Sequence, residues 1–269
     1  MFSKVLASFG QGGAKVDAQL IDHSVRPGGP LRGQVMLVGG QVDQEVQGLG
    51  VTLLARVEQA DVRGDVSLVD MPFQNINLAS NAVVRAGQTL TVPFEVHLPW
   101  ETPITTVLGK HLTGMAIGLQ TALDLGGSLA DPQDIDAVAI EPLPAQHRIL
   151  DAFARLGFQF RAGALEKNKI TGLDQQLPFY QEIRFSPSPA FAQAFVEVAV
   201  TFLAGSSGMQ VVLDVQKKVR VGKGSGLGPQ ARPFIGAFPV DYARLGATNW
   251  EQQIEGWLRE VARPRAIFD

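Results

Sequence analysis

Between Lys15 and about Gly126, apolar residues recur at every second position, and this alternation constrains the chain more than any other feature. Val16, Ala18 and Leu20 alternate with polar neighbours. The same holds for Leu31, Gly33, Val35 and Leu37, for Val51, Leu53, Ala55 and Val57, and for Leu90, Val92, Phe94, Val96 and Leu98. A period of two puts one face of an extended segment into a core and the other into water, so these segments read as half-buried strands. Turn-forming runs separate them: Arg26-Pro-Gly-Gly-Pro30, Gly39-Gly40, Arg63-Gly-Asp65 and Arg85-Ala-Gly-Gln88. Strands so spaced, with no helical pattern between them, predict an antiparallel sandwich and not βαβ units.

The texture changes at Asp131-Pro-Gln-Asp-Ile-Asp136 and again at Ile140-Glu-Pro-Leu-Pro144. Proline donates no ladder hydrogen bond, so this stretch reads as an extended connector between domains. With 269 residues there is chain enough for two cores. The expected division is residues 1–140 and 141–269. Asp131, Asp134, Asp136, Pro142 and Pro144 are the candidate interdomain hinge. The three aspartates also admit a Ca²⁺ site or an ion pair with an arginine of the second domain, although they lack the glycine turn and terminal glutamate of an EF-hand loop.

Three helices are expected. Phe2, Val5, Leu6 and Phe9 fall on one helical face before Gly10, giving a short N-terminal helix that either covers a sheet edge or docks on a membrane surface or partner. Ile149, Leu150, Phe153, Ala154 and Leu156 form a second amphipathic helix near the hinge, with Gly157 just past its end. A third carries Trp250, Ile254, Trp257, Leu258 and Val261, with Thr248 as its expected cap. Between the last two, strands resume around Phe158 and Phe160, Phe179 to Phe185, Phe195 to Phe202 and Met209 to Val215. A hairpin is expected at Gly205-Ser-Ser-Gly208, and a mobile loop at Gly222–Gly228.

The sequence carries little recognisable catalytic or metal-binding chemistry. His23, His97, His111 and His147 have no partner at zinc-ligand spacing. Gly126-Gly-Ser128-Leu-Ala130 lacks the final glycine of a nucleophile elbow, and Asp131-Pro132 follows where a helix should run. The glycine-rich loop from Gly222 contains Gly-Lys without the remaining Walker residues. No cysteine is present, so there is neither a disulfide framework nor a thiolate ligand. A net charge of −3 with scattered lysines and arginines argues against nucleic acid. No apolar run reaches the roughly 20 residues that span a bilayer. The reading is therefore a cytoplasmic protein without catalytic, metal or cofactor residues.

Several strings resemble the bacterial sporulation-control proteins. They are Phe2-Ser-Lys-Val-Leu-Ala-Ser-Phe-Gly-Gln-Gly-Gly-Ala-Lys-Val-Asp17, Pro27-Gly-Gly-Pro-Leu-Arg-Gly-Gln-Val35, Asp131-Pro-Gln-Asp-Ile-Asp136, Ile149-Leu-Asp-Ala-Phe-Ala-Arg-Leu-Gly-Phe158 and Leu177-Pro-Phe-Tyr-Gln-Glu-Ile-Arg-Phe185. The resemblance implies an all-β, arrestin-like fold of two antiparallel β-sandwich domains and a cytosolic regulator or scaffold that binds protein partners without enzymatic activity. Two alternatives stand beside it: a peripheral membrane adaptor using the N-terminal helix, and an unrecognised hydrolase. Strand edges open to pairing also lead us to expect self-association into a homo-oligomer.

Overall fold

The structure is a computed structural model and describes residues 13–61, 63–107, 109–126, 133–217 and 232–262. The chain forms two compact units, one of residues 1–111 and 115–141, the other of 112–114 and 142–269.

The first unit is a sandwich of two antiparallel sheets. One sheet is made of β1 (Lys15–Leu20), β2 (Pro30–Val38) and β5 (Thr89–His97) in the order β1-β2-β5. The other contains β3 (Gln44–Ala60), β4 (Val66–Val84), β8 (Ile117–Asp124) and β9 (Gln133–Ala137), with β4 beside β3, β3 beside β8 and β8 beside β9. A small hairpin, β6 (Thr106–Val107) with β7 (Lys110–His111), lies outside both. Alternation does what the sequence requires: Leu31, Val35 and Leu37 from one sheet and Leu49, Val51, Leu53, Leu119 and Leu123 from the other are buried. Each such side chain stabilises the unit by about 1.5–3 kcal/mol through removal from water.

β3 is longer than its sequence alternation indicates, and β4 has no counterpart among the expected strands. β3 runs for 17 residues and β4 for 19, joined by a turn that the Asp61 carboxylate organises. Its Oδ1 accepts from Arg63 N at 2.8 Å and Asp65 N at 2.9 Å, the local side-chain bonding that makes aspartate a turn residue. The expected connector is also shorter than read from its prolines. Gln133–Ala137 is a strand paired in register with β8, because Asp134 and Asp136 alternate with Ile135 and the prolines lie outside it. After β9, Val25 N donates to Ala139 O and Glu141 N to Val25 O, so the chain stays bound to the first unit up to Glu141.

The second unit begins with α1 (Pro144–Arg155). Pro144 occupies the first helical position, where its missing N–H costs nothing, and Gln146 Oε1 accepts from Leu143 N at 2.8 Å. Gly157, at φ +85°, ends the helix in the left-handed conformation that a side chain would disfavour. Then come β10 (Gln159–Glu166), β11 (Tyr180–Ser186), β12 (Phe195–Ala204), β13 (Gly208–Lys217) and β14 (Arg232–Asp241), an antiparallel meander in chain order. The expected hairpin joins β12 to β13, with Gly205 N donating to Gly208 O at 2.8 Å. α2 (Trp250–Ala262) closes the described chain. Its cap is Asn249, whose Oδ1 accepts from Gln252 N at 3.1 Å; the Thr248 hydroxyl instead donates to Arg244 O. Asparagine one residue nearer the helix wins because its carbonyl reaches the free amide of the first turn.

Both helices pack on one face of the meander. Phe153 of α1 stacks on Phe185 of β11 at 5.2 Å and meets Phe158 edge-on. Trp257 of α2 stacks on Phe238 of β14 at 4.9 Å. Arg155 ties the helices together, bonding Asp151 on its own helix and Glu251 on α2.

Candidate functional site

β4 is the outermost strand of its sheet. Among the described residues it pairs with β3 alone, leaving its other edge of backbone N–H and C=O groups open. Nineteen extended residues span about 60 Å, several times an ordinary edge strand. Natural edges are normally guarded by lysines, prolines, bulges or brevity. Here there is neither lysine nor arginine from Val66 to Val84, and the single charge is Asp70. Pro72 and two register shifts, facing Leu49/Gly50 and Leu53/Leu54 of β3, interrupt the ladder without closing the edge. Val66, Leu68 and Val83 are 63%, 65% and 58% exposed. They place apolar side chains at both ends of the strand, where an added strand gains from cross-strand pairs.

Beside this edge a shallow depression of about 540 Å³ crosses the outer face of the sheet. Gly48, Gly50, Thr52, Asn75, Asn77 and Asp124 line it, and the two glycines of β3 lower its floor. A second cavity of about 260 Å³ is mostly apolar, bounded by Thr105, His111, Met115, Ile117 and Val138. Thr106 also lines it and is the register partner of His111 in the β6–β7 hairpin.

Of the candidate hinge residues, Asp134 and Asp136 lie on β9 with their side chains inside the first unit, both buried. Asp134 Oδ2 accepts from Ala18 N of the facing sheet at 3.4 Å. These two carboxylates belong to a sandwich interior, not to a solvated linker. Pro142 is buried, Pro144 starts α1, and Asp131 lies outside the described residues. Phe2, Val5, Leu6 and Phe9 also lie outside them, as does the loop from Gly222. Among the described residues there is no group of three His, Asp or Glu able to hold a metal ion, and no helix long and apolar enough to cross a membrane.

The second unit carries a charged cluster on the sheet face opposite its helices. Arg184 of β11 contacts Glu182 at 2.7 Å and Glu166 of β10 at 2.8 Å, while Arg161 contacts Glu197 of β12 at 3.1 Å. Tyr180 stands among them; burial, then the negative charge of Glu182 and Glu166, pushes its phenol up to about 12. Asp214 of β13 joins the cluster, with a carboxyl that burial and then Glu182 and Glu197 raise to about 6.

Sequence reasoning missed both features. The alternation in Val66–Val84 is broken by Pro72 and by polar runs such as Gln74–Asn75, which conceal a strand. The charged residues of β11, β12 and β13 become a cluster only once register aligns them.

Comparison with known proteins places these units in a family. The model of the Spo0M family, described as SpoOM protein, matches residues 2–219. The sporulation-control protein spo0M of Bacillus subtilis (strain 168) is 27% identical over 223 residues, 81% of each chain. The crystal structure of Spo0M from Bacillus subtilis superposes with a TM-score of 0.78 at 23% identity, covering 93% of this chain and 99% of that one. The fold is the arrestin-like, β-sandwich arrangement that the resemblance implied. The chain belongs to the Spo0M family of sporulation-control proteins.

Proposed function

We propose that this chain is a non-enzymatic cytoplasmic regulator that binds protein partners, and that the open edge of β4 is where it binds them. The observation that carries the reading is a 19-residue edge strand without a basic residue and with apolar side chains exposed at both ends. Such an edge accepts an extended segment as an additional strand: backbone hydrogen bonds supply affinity, and alternate side chains supply selectivity. A regulatory role accords with the name of the Bacillus subtilis relative, a sporulation-control protein. A second copy of the chain is one partner this edge suits, since two identical strands can pair antiparallel across a two-fold axis.

The test is a lysine guard. Val66→Lys and Leu68→Lys put solvated charges on the edge at exposed positions, so the thermal midpoint should hardly move. Affinity capture from the native cell and sedimentation velocity of the purified protein are then compared with wild type. Loss of a captured protein, or of self-association where wild type shows it, is the expected result. Retention of every partner and of the oligomeric state by the folded variants would reject the β4 edge.

A further inference from the structure

The charged face of the second unit contains one acid that the docking edge does not use. Register places Arg184 of β11, Ala199 of β12 and Asp214 of β13 in one row across the sheet. Four carboxylates, Glu166, Glu182, Glu197 and Asp214, share the face with two guanidiniums, Arg161 and Arg184. Arg184 is occupied by Glu182 and Glu166, and Arg161 by Glu197. Asp214 is the acid left over: its Oδ1 is buried and receives no hydrogen bond. The charged and titratable groups that face it are Tyr180, Glu182 and Arg184 from β11 and Glu197 from β12. From β14 its register partner is the apolar Ile235.

An ionised carboxylate in this place is poorly solvated, lacks a donor on one oxygen and repels two neighbouring acids. A protonated one removes a charge from the competition for Arg184 and contributes an O–H donor to a face rich in acceptors. We propose that Asp214 is a proton-operated element of the second unit, which tightens the outer face of β11, β12 and β13 when protonated and loosens it when ionised.

The direction follows from linkage. The folded-state carboxyl titrates near 6, above its ordinary 3.8, so the native state holds the proton more firmly than the unfolded chain. The stabilisation is fully present below the ordinary value and is lost as pH rises through the folded one. Acidification from neutral to slightly acid pH therefore firms this unit, opposite to the loss of stability shown by salt-bridged carboxylates.

The experiment uses the full chain. Thermal midpoints are measured from pH 5 to 8 for wild type and Asp214→Asn, which carries the amide in place of the neutral acid. Wild type should gain a few degrees on acidification across this interval; Asp214→Asn should lose that gain and exceed wild type at pH 8. Because a variant can fail to fold, the side-chain carboxyl of Asp214 is also followed in wild type by carbon-13 NMR, with amide exchange of β12 and β13 corrected for intrinsic pH dependence. A midpoint near pH 6 accompanied by slower exchange on the acid side supports the proposal. Glu182→Gln, which removes a repelling neighbour, should lower that midpoint. Titration below about pH 4.5, near the ordinary carboxylate range, or exchange in β12 and β13 indifferent to the titration, would overturn it.

Discussion

Arg56 on β3 grips Asp70 on β4, its Nε donating to Oδ1 at 2.8 Å and an Nη to Oδ2 at 3.0 Å. The pairing raises the arginine's already high pKa further and neutralises the only charge on the long edge strand. Their bond serves the edge more than the fold, for the partners are 33% and 38% exposed and such pairs are worth about 0–1 kcal/mol.

Arg56→Gln is accordingly expected to cost no more than about 1 kcal/mol in urea denaturation. It leaves Asp70 unneutralised on the edge, and two copies meeting there would each contribute a negative charge. Any dimer seen by sedimentation should weaken at low salt and recover as salt screens the repulsion.

Gly33 on β2 has no room for a methyl group. A Cβ there would stand 2.5 Å from the Phe94 ring on β5 and 2.9 Å from the Gln19 carbonyl on β1. Gly33→Ala must push apart the three strands of one sheet and should cost about 1–3 kcal/mol by equilibrium denaturation. Retention of full stability would show that β5 moves aside freely.

Thr121 lies at the centre of the first unit, fully buried on β8 between Val51 and Asp134. Its hydroxyl has no hydrogen-bond partner. Thr121→Val keeps the shape and removes an unsatisfied polar atom, so it should be neutral or stabilising by about 1 kcal/mol. A marked loss of stability would mean that the hydroxyl is bonded in solution, for which a bound water is the simplest source.

How much of this was readable beforehand depends on the length scale of each signal. Val16, Leu31, Val51 and Val96 declare their strands locally, since burial of alternate residues writes itself into a few neighbours. α1 was equally plain from Ile149, Phe153 and Gly157. β4 was not, because an edge strand with one open side and two bulges needs no strict alternation, and Pro72 and Asn75 are tolerated there. Asp134 and Asp136 mislead for another reason: aspartates just after Asp131-Pro132 look solvated, whereas both are buried and Asp134 accepts from the backbone amide of Ala18, more than a hundred residues away. The Asp214 cluster belongs to the same class, visible residue by residue in Glu182, Glu197 and Asp214 but assembled only by strand register.

Phe153 measures how far the second unit depends on its helix layer. Completely buried, it stacks on Phe185 and meets Phe158 edge-on. Phe153→Ala is expected to cost about 3–5 kcal/mol, read as a large fall in the thermal midpoint with loss of near-ultraviolet dichroism. A cost below about 1 kcal/mol would mean that the aromatic cluster repacks around the gap.

The central claim is that β4 is a docking edge. Its most direct test is site-specific photo-crosslinking in the native cell from Leu68 on the edge and from Glu255 on α2 as a control. A discrete crosslinked protein, either a cellular partner or a second copy of the chain, is expected from Leu68, and it should disappear when Val83→Lys is added. Equal crosslinking from Glu255, or none from Leu68 while the protein is shown by capture to hold a partner, would contradict it.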